Sequence, residues 1–141
     1  DPSLYDSSLR IAARLSSHAQ TLQIKVVPGI TSMQALTAAH AIPLNELAEP
    51  VLITTGRRLR ERGWPADAVS VVVMLDGGCA FQALDPDGVF VWWGAYLGMP
   101  QQALVAGPLE LVAEKIAEQR AVLRDAHGWI MDVYLMRKSP T

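Results

Sequence analysis

Three short segments place ligand-binding or reactive residue types where an apolar run meets a turn. Asp1-Pro2-Ser3-Leu4-Tyr5-Asp6 precedes a helical pattern. Val27-Pro28-Gly29-Ile30-Thr31-Ser32 separates a strand-like run from a second helical pattern. Leu75-Asp76-Gly77-Gly78 follows a run of β-branched residues. The Asp1 carboxylate can accept bonds from a ligand amine or a ribose hydroxyl. Gly29 lets backbone come close to a bound molecule. A helix beginning at Thr31 or Ser32 presents unpaired N–H donors beside two hydroxyls. Taken singly, the first segment reads better as a plain N-terminal loop and the second as a capped turn than either does as a site. Asp76 falls at a strand end, the edge where open α/β sheets bind ligands. There it can serve as acceptor or base, or be a solvated carboxylate in a flexible loop.

A basic cluster, Arg57, Arg58, Arg60 and Arg62, follows Thr54-Thr55-Gly56. Guanidinium groups can clamp carboxylates bidentately. The bland reading is a solvated helix face, and helical spacing cannot put all four on one side. His18, His40 and His127 lack metal-ligand spacing and fit helix ends, where the dipole favours them. No Ser–His–Asp or Cys–His arrangement is visible, and no metal is expected. The single cysteine, Cys79, excludes an internal disulfide and a multi-cysteine zinc site and favours a reducing compartment. A net charge of −2 argues against nucleic acid as partner. No apolar run approaches the ~18 residues that span a bilayer, so the expectation is a soluble, cytoplasmic protein without a membrane partner.

The elements that must position these residues follow from period and punctuation. The pattern predicts a helix over 4–18 with Leu4, Ile11, Ala12 and Leu15 on one face. It then predicts a strand over 22–27, broken by Pro28-Gly29, and a helix from Thr31 or Ser32 to about Ala41, stopped by Pro43. A strand at 51–55, a short basic helix at 56–62 closed by Gly63, and a buried strand at 69–75 come next. Asp85-Pro86-Asp87-Gly88 is a strong turn signal, so strands at 80–84 and 89–96 read as a hairpin. Trp92 and Trp93 then take opposite faces. Pro108 opens a long amphipathic helix to Ala126. Gly128 stops it, and a last strand runs over 129–136. The fold class is α/β with a mixed sheet, and the best boundary is Pro28-Gly29, dividing 1–27 from 28–141.

Asp-Pro-x-x-Tyr, a helix, a strand and then Val-Pro-Gly-Ile-Thr-Ser resemble the S-adenosylmethionine-dependent tetrapyrrole methyltransferases. His40-Ala41-Ile42-Pro43-Leu44 and Ala106-Gly107-Pro108-Leu109 are similar to later segments of that family. Within it, four segments resemble the deacetylating branch of cobalamin biosynthesis. They are Glu49 to Leu59, Met74 to Phe81, Trp92 to Gly98 and His127 to Asp132. The resemblance covers nearly the whole chain. It implies a two-domain α/β homodimer with S-adenosylmethionine in the cleft between domains. It places that cofactor against Asp1, Leu4, Thr31, Ser32, Leu75, Asp76 and Gly107. It implies methyl transfer to C1 of precorrin-5 with loss of acetate, giving precorrin-6A. The many carboxylates of such a substrate favour Arg57 and Arg58 as clamps. Asp76 is the candidate base for acetyl removal, with Tyr5 and Asp6 as others.

The family loop usually reads Gly-Asp-Pro, so the chain is expected to begin inside that motif. It then reads as a C-terminal fragment, with 1–27 the last helix and strand of a truncated N-terminal domain and little activity of its own. Alternatives are another precorrin methylase, a relative that methylates diphthamide or ribosomal RNA, or a non-catalytic oligomerisation or binding module.

Overall fold

Val51–Thr55 (β1) and Ser70–Met74 (β2) are apolar, β-branched runs, and they pair in parallel with Thr55 level with Met74. Both sit in a computed structural model that describes residues 3–18 and 22–138. The chain divides into two compact units, Asp1–Ser32 and Met33–Thr141.

In the first unit, Ser8–Ser16 forms α1, shorter than the expected helix. Its apolar stripe is present, but Ile11 and Leu15 are exposed and no residue of α1 is buried. The strand expected over 22–27 does not form: residues 22–31 are irregular. A strand needs a neighbour to satisfy its N–H and C=O groups. Among the described residues none pairs with this segment.

The second unit is built on a five-stranded mixed sheet of order β1-β2-β5-β3-β4, where β3 is Val89–Ala95, β4 Ala103–Pro108 and β5 Asp132–Lys138. Every pairing except β1–β2 is antiparallel. The carboxyl ends of β1, β2 and β3 therefore share one end of the sheet with the amino ends of β4 and β5. The expected hairpin partner was wrong: Ala80–Ala83 is a 3₁₀ turn, and β4 pairs with β3 instead. The Asp85–Gly88 turn does form, with Gly88 at φ +66. However, it enters β3 from the 3₁₀ turn, because Ala80 and Phe81 bury themselves against the core rather than extend.

Two helices cover the sheet. Leu109–His127 (α4) follows Pro108, which caps it from the end of β4 rather than sitting inside its first turn. Leu109 and Ile116 of α4 meet Val71, Val73, Val91, Trp93, Tyr134 and Met136 in one core. Gly128, at φ +79, ends α4 with its N–H on the Arg124 carbonyl. The chain extends for three residues before β5 begins, so that strand starts later than its alternation suggested. Ser32–His40 (α2) covers the opposite face, where a Cβ on Gly94 would collide with Leu36. Trp92 and Trp93 face opposite ways as expected. Trp93 is buried on the α4 side, and Trp92 is half-buried under the Arg137 guanidinium.

Candidate functional site

The two parallel strands end side by side but leave the sheet differently. After β1, Gly56–Arg62 forms α3 directly, capped by the Thr55 hydroxyl, which accepts from the Arg58 amide at 3.4 Å. After β2, Leu75 turns into the left-handed region at φ +51, and Cys79 does the same at φ +51. A non-glycine residue there is strained by about 1–3 kcal/mol and persists only where its surroundings dictate it. Leu75 is 68% exposed. Thus a strained backbone presents an apolar side chain to solvent at the carboxyl end of a parallel pair.

The surroundings that dictate this are polar and buried. The Asp76 carboxylate accepts four hydrogen bonds: from Arg60 Nη1 at 2.9 Å, the Gly78 amide at 3.1 Å, the Ala80 amide at 2.6 Å and the Tyr134 hydroxyl at 2.7 Å. Burial pushes this carboxyl up, but the Tyr134 hydroxyl, the two amides and Arg60 outweigh it and hold the group below its ordinary range. Burial and the neighbouring Asp76 charge raise Tyr134 well above the usual phenol range. The loop's other handle is its main chain. Arg120, on α4 and 8% exposed, donates through Nη2 to the Asp76 carbonyl at 3.2 Å. Its Nε donates to Asp132 Oδ2 at 2.9 Å, which also accepts from Trp93 Nε1 at 3.0 Å. Trp93 in turn accepts at its carbonyl from the His40 ring at 3.0 Å. No buried side-chain nitrogen or oxygen among the described residues lacks a partner.

This geometry corrects the reading of Asp76. It is neither solvated nor in a loose loop. A carboxylate with four donors and a lowered pKa is a poor proton acceptor, so the structure does not support it as a base. Its side chain is spent on holding the loop; what remains for a ligand is the Leu75 side chain and the open backbone of Gly77, where a Cβ would touch nothing. Those features suit the apolar face and polar edges of a nucleoside.

Other expected site residues are placed as follows. Gly107 is not beside the loop. It pairs with Val91, which is level with Met136 and Val71, about 13 Å along the strands from Leu75. Its lack of a side chain is explained by Val112 of α4, which a Cβ would strike. Arg57 and Arg58 are exposed on α3. Arg58 and Arg62, one turn apart, line an open recess of about 230 Å³ with Leu52, Thr54, Leu59, Gly63 and Pro65. Arg60 turns the other way, into Asp76. Ser32 is the first residue of α2, with Thr31 just before it. Leu4 is half-buried and Tyr5 exposed at φ +55, both in the first unit. The Asp6 carboxylate accepts from the Ser8 amide at 2.8 Å, an ordinary turn at the start of α1. Asp1 lies outside the described residues. Among the described residues no group of His, Cys, Asp and Glu could hold a metal ion, and no helix is long and apolar enough to cross a membrane.

Sequence reasoning missed Arg120, Asp132, Tyr134 and Trp93. The available signal was Arg120 itself, an arginine near the apolar side of an amphipathic helix.

Residues 1–113 match the family of tetrapyrrole (corrin/porphyrin) methylases. The chain is 48% identical over 139 residues to a precorrin-6A synthase [deacetylating] from a Sinorhizobium species, covering 98% of this chain and 53% of that protein. A crystal structure of a cobalamin-synthesis-related protein (CobF) from Corynebacterium diphtheriae superimposes with a TM-score of 0.89 at 45% identity, covering 98% of this chain and 58% of that one. A uroporphyrin-III C-methyltransferase from Thermus thermophilus, solved with S-adenosyl homocysteine, shares the fold at a TM-score of 0.63 and 19% identity, over 97% of this chain and 62% of that one. The chain spans about half the length of the curated relative it matches.

Proposed function

The chain belongs to the tetrapyrrole (corrin/porphyrin) methylases, and from that premise we propose that the protein carrying it is an S-adenosylmethionine-dependent C-methyltransferase of cobalamin biosynthesis. In this reading it methylates precorrin-5 at C1 and releases the acetyl group as acetate, giving precorrin-6A. One observation carries the site: a strained, internally braced loop presents Leu75 and the Gly77 backbone at the carboxyl end of β2. The likeness to the deacetylating relative supports the choice of substrate.

When bound, S-adenosylmethionine supplies an electrophilic methyl group. Leu75 would offer it an apolar contact and the Asp76–Gly77 backbone polar ones. Asp1, Leu4, Thr31 and Ser32 remain proposed cofactor contacts. An electron-rich ring carbon is already nucleophilic, so alignment can supply up to about 7–11 kcal/mol of the barrier without a dedicated base. Arg57 and Arg58 are the proposed clamps for substrate carboxylates. Tyr5 replaces Asp76 as the candidate base for acetyl removal. A cytoplasmic homodimer without nucleic acid, membrane or metal belongs to the same reading.

The test is turnover by the protein carrying this chain, with methyl-labelled S-adenosylmethionine and precorrin-5. Label in the tetrapyrrole with one acetate released per methyl transferred is expected. Transfer without acetate would move the assignment to another precorrin methylase; no transfer to any tetrapyrrole would overturn it.

A further inference from the structure

Arg120 and Tyr134 bond to the 75–79 loop directly, and Asp132 bonds to Arg120 behind them. Arg120 is buried although it carries a charge, which costs free energy unless the charge is paired and bonded. It is paired with Asp132, and its remaining Nη2 donor goes to the main-chain carbonyl of Asp76. That carbonyl sits one residue after the left-handed Leu75. Tyr134 fixes the same residue from β5 through its carboxylate, and Arg60 fixes it from α3. The loop is thus gripped at both its side chain and its main chain. The gripping atoms come from α3, α4 and β5, and the side chain left over, Leu75, points outward. A loop that only needed to reverse the chain would not require two charged anchors and two left-handed residues.

We propose that Arg120 and Tyr134 are positioning residues that set the affinity for S-adenosylmethionine by holding the Leu75–Gly78 backbone in its ligand-facing conformation, with Asp132 holding Arg120. This rests on the reading that the loop meets the cofactor. Neither residue touches the ligand; each acts through Asp76, one on its carbonyl and one on its carboxylate. Trp93 extends the arrangement, since its indole N–H shares Asp132 with Arg120.

Calorimetry with S-adenosylhomocysteine tests it on the protein carrying this chain. The variants are Arg120→Lys, Tyr134→Phe and a control, Arg137→Gln. The control breaks bonds to Glu46, Ser70 and Pro43 at the other end of β5. Affinity should fall at least about tenfold in the first two, the value of one hydrogen bond to a charged group. The control should lose thermal stability and keep its affinity. Hydrogen exchange at the Gly78 and Ala80 amides should quicken in Tyr134→Phe and not in the control. Unchanged affinity in both loop variants would overturn the proposal. So would losses that track melting temperature across all three. Should Arg120→Lys fail to fold, Tyr134→Phe decides alone. No binding by the wild-type protein would instead defeat the cofactor reading beneath it.

Discussion

The chain leaves β1 and β2 at the same level of the sheet, through junctions that share almost nothing. The β1 junction is local. Thr55 caps α3, Gly56 opens it, and every group involved lies within four residues. The β2 junction is non-local. Asp76, between its two left-handed residues, is held by Arg60, Arg120 and Tyr134, up to 58 residues away. The junctions meet at Asp76, whose carboxylate a Cβ on Gly56 would overlap and which Arg60 of α3 pairs with. The contrast teaches that a regular exit needs only sequence-local chemistry. A strained exit needs a buried framework, and building one is worthwhile where the strained backbone does something for a ligand.

The largest expected effect comes from removing the framework's charged anchor. Arg120→Met should cost about 3–5 kcal/mol of unfolding free energy, because it leaves the Asp132 carboxylate buried and unpaired. Adding Asp132→Leu should recover part of that loss, since the pair itself contributes little against apolar residues of similar size, while the buried Trp93 indole N–H is left without its acceptor. Denaturant titration of the single and double variants checks both. A single variant losing under about 0.5 kcal/mol, the usual range for a surface substitution, would place Arg120 outside any framework.

Acid should reach the β2 junction before the β1 junction. Asp76 is held below its ordinary value of 3.8, so its contribution to stability is present above that value. It is lost as pH falls from there through the folded-state pKa. Tyr134 is held above its ordinary value of 10.0, so its contribution is present below that pH and lost as pH rises beyond it. The stability difference between wild type and Asp76→Asn should therefore be flat from about pH 7 to 5 and shrink below about pH 4. A difference that stayed constant into acid would contradict the four-donor environment. The smallest effect belongs to the β1 junction. Thr55→Ala should cost about 0.5–1 kcal/mol, near the low end for a helix cap, because its bond to the Arg58 amide is long. A loss as large as that of Arg120→Met would erase the contrast between the junctions.

The same contrast explains what was readable in the sequence. β1, α3 with its Gly63 stop, and β2 were placed to within a residue, because each is written in contiguous apolar or basic residues with glycine punctuation. The terminus of α4 at Gly128 was equally plain. The supposed hairpin failed because the turn at Asp85–Gly88 was real but its upstream arm was not a strand. Nothing local distinguishes Ala80–Ala83 buried as a 3₁₀ turn from the same residues extended. The strand over 22–27 failed because alternation describes a face and not a partner. Asp76 stands out in the sequence by position, at a strand end followed by two glycines. Its four donors lie on α3, in the loop itself and on β5, which no local pattern around Asp76 announces. At Gly107 the close approach of Val112, five residues on, is visible only in the fold.

We propose that the cofactor meets this chain at the 75–79 loop and not in the recess under Arg58 and Arg62. Hydrogen–deuterium exchange of the protein carrying this chain, with and without S-adenosylhomocysteine, tests that claim most directly. Slowed exchange centred on residues 75–79, with residues 58–65 unchanged, is the predicted result. Protection confined to residues 58–65, with the loop unaffected, would contradict it.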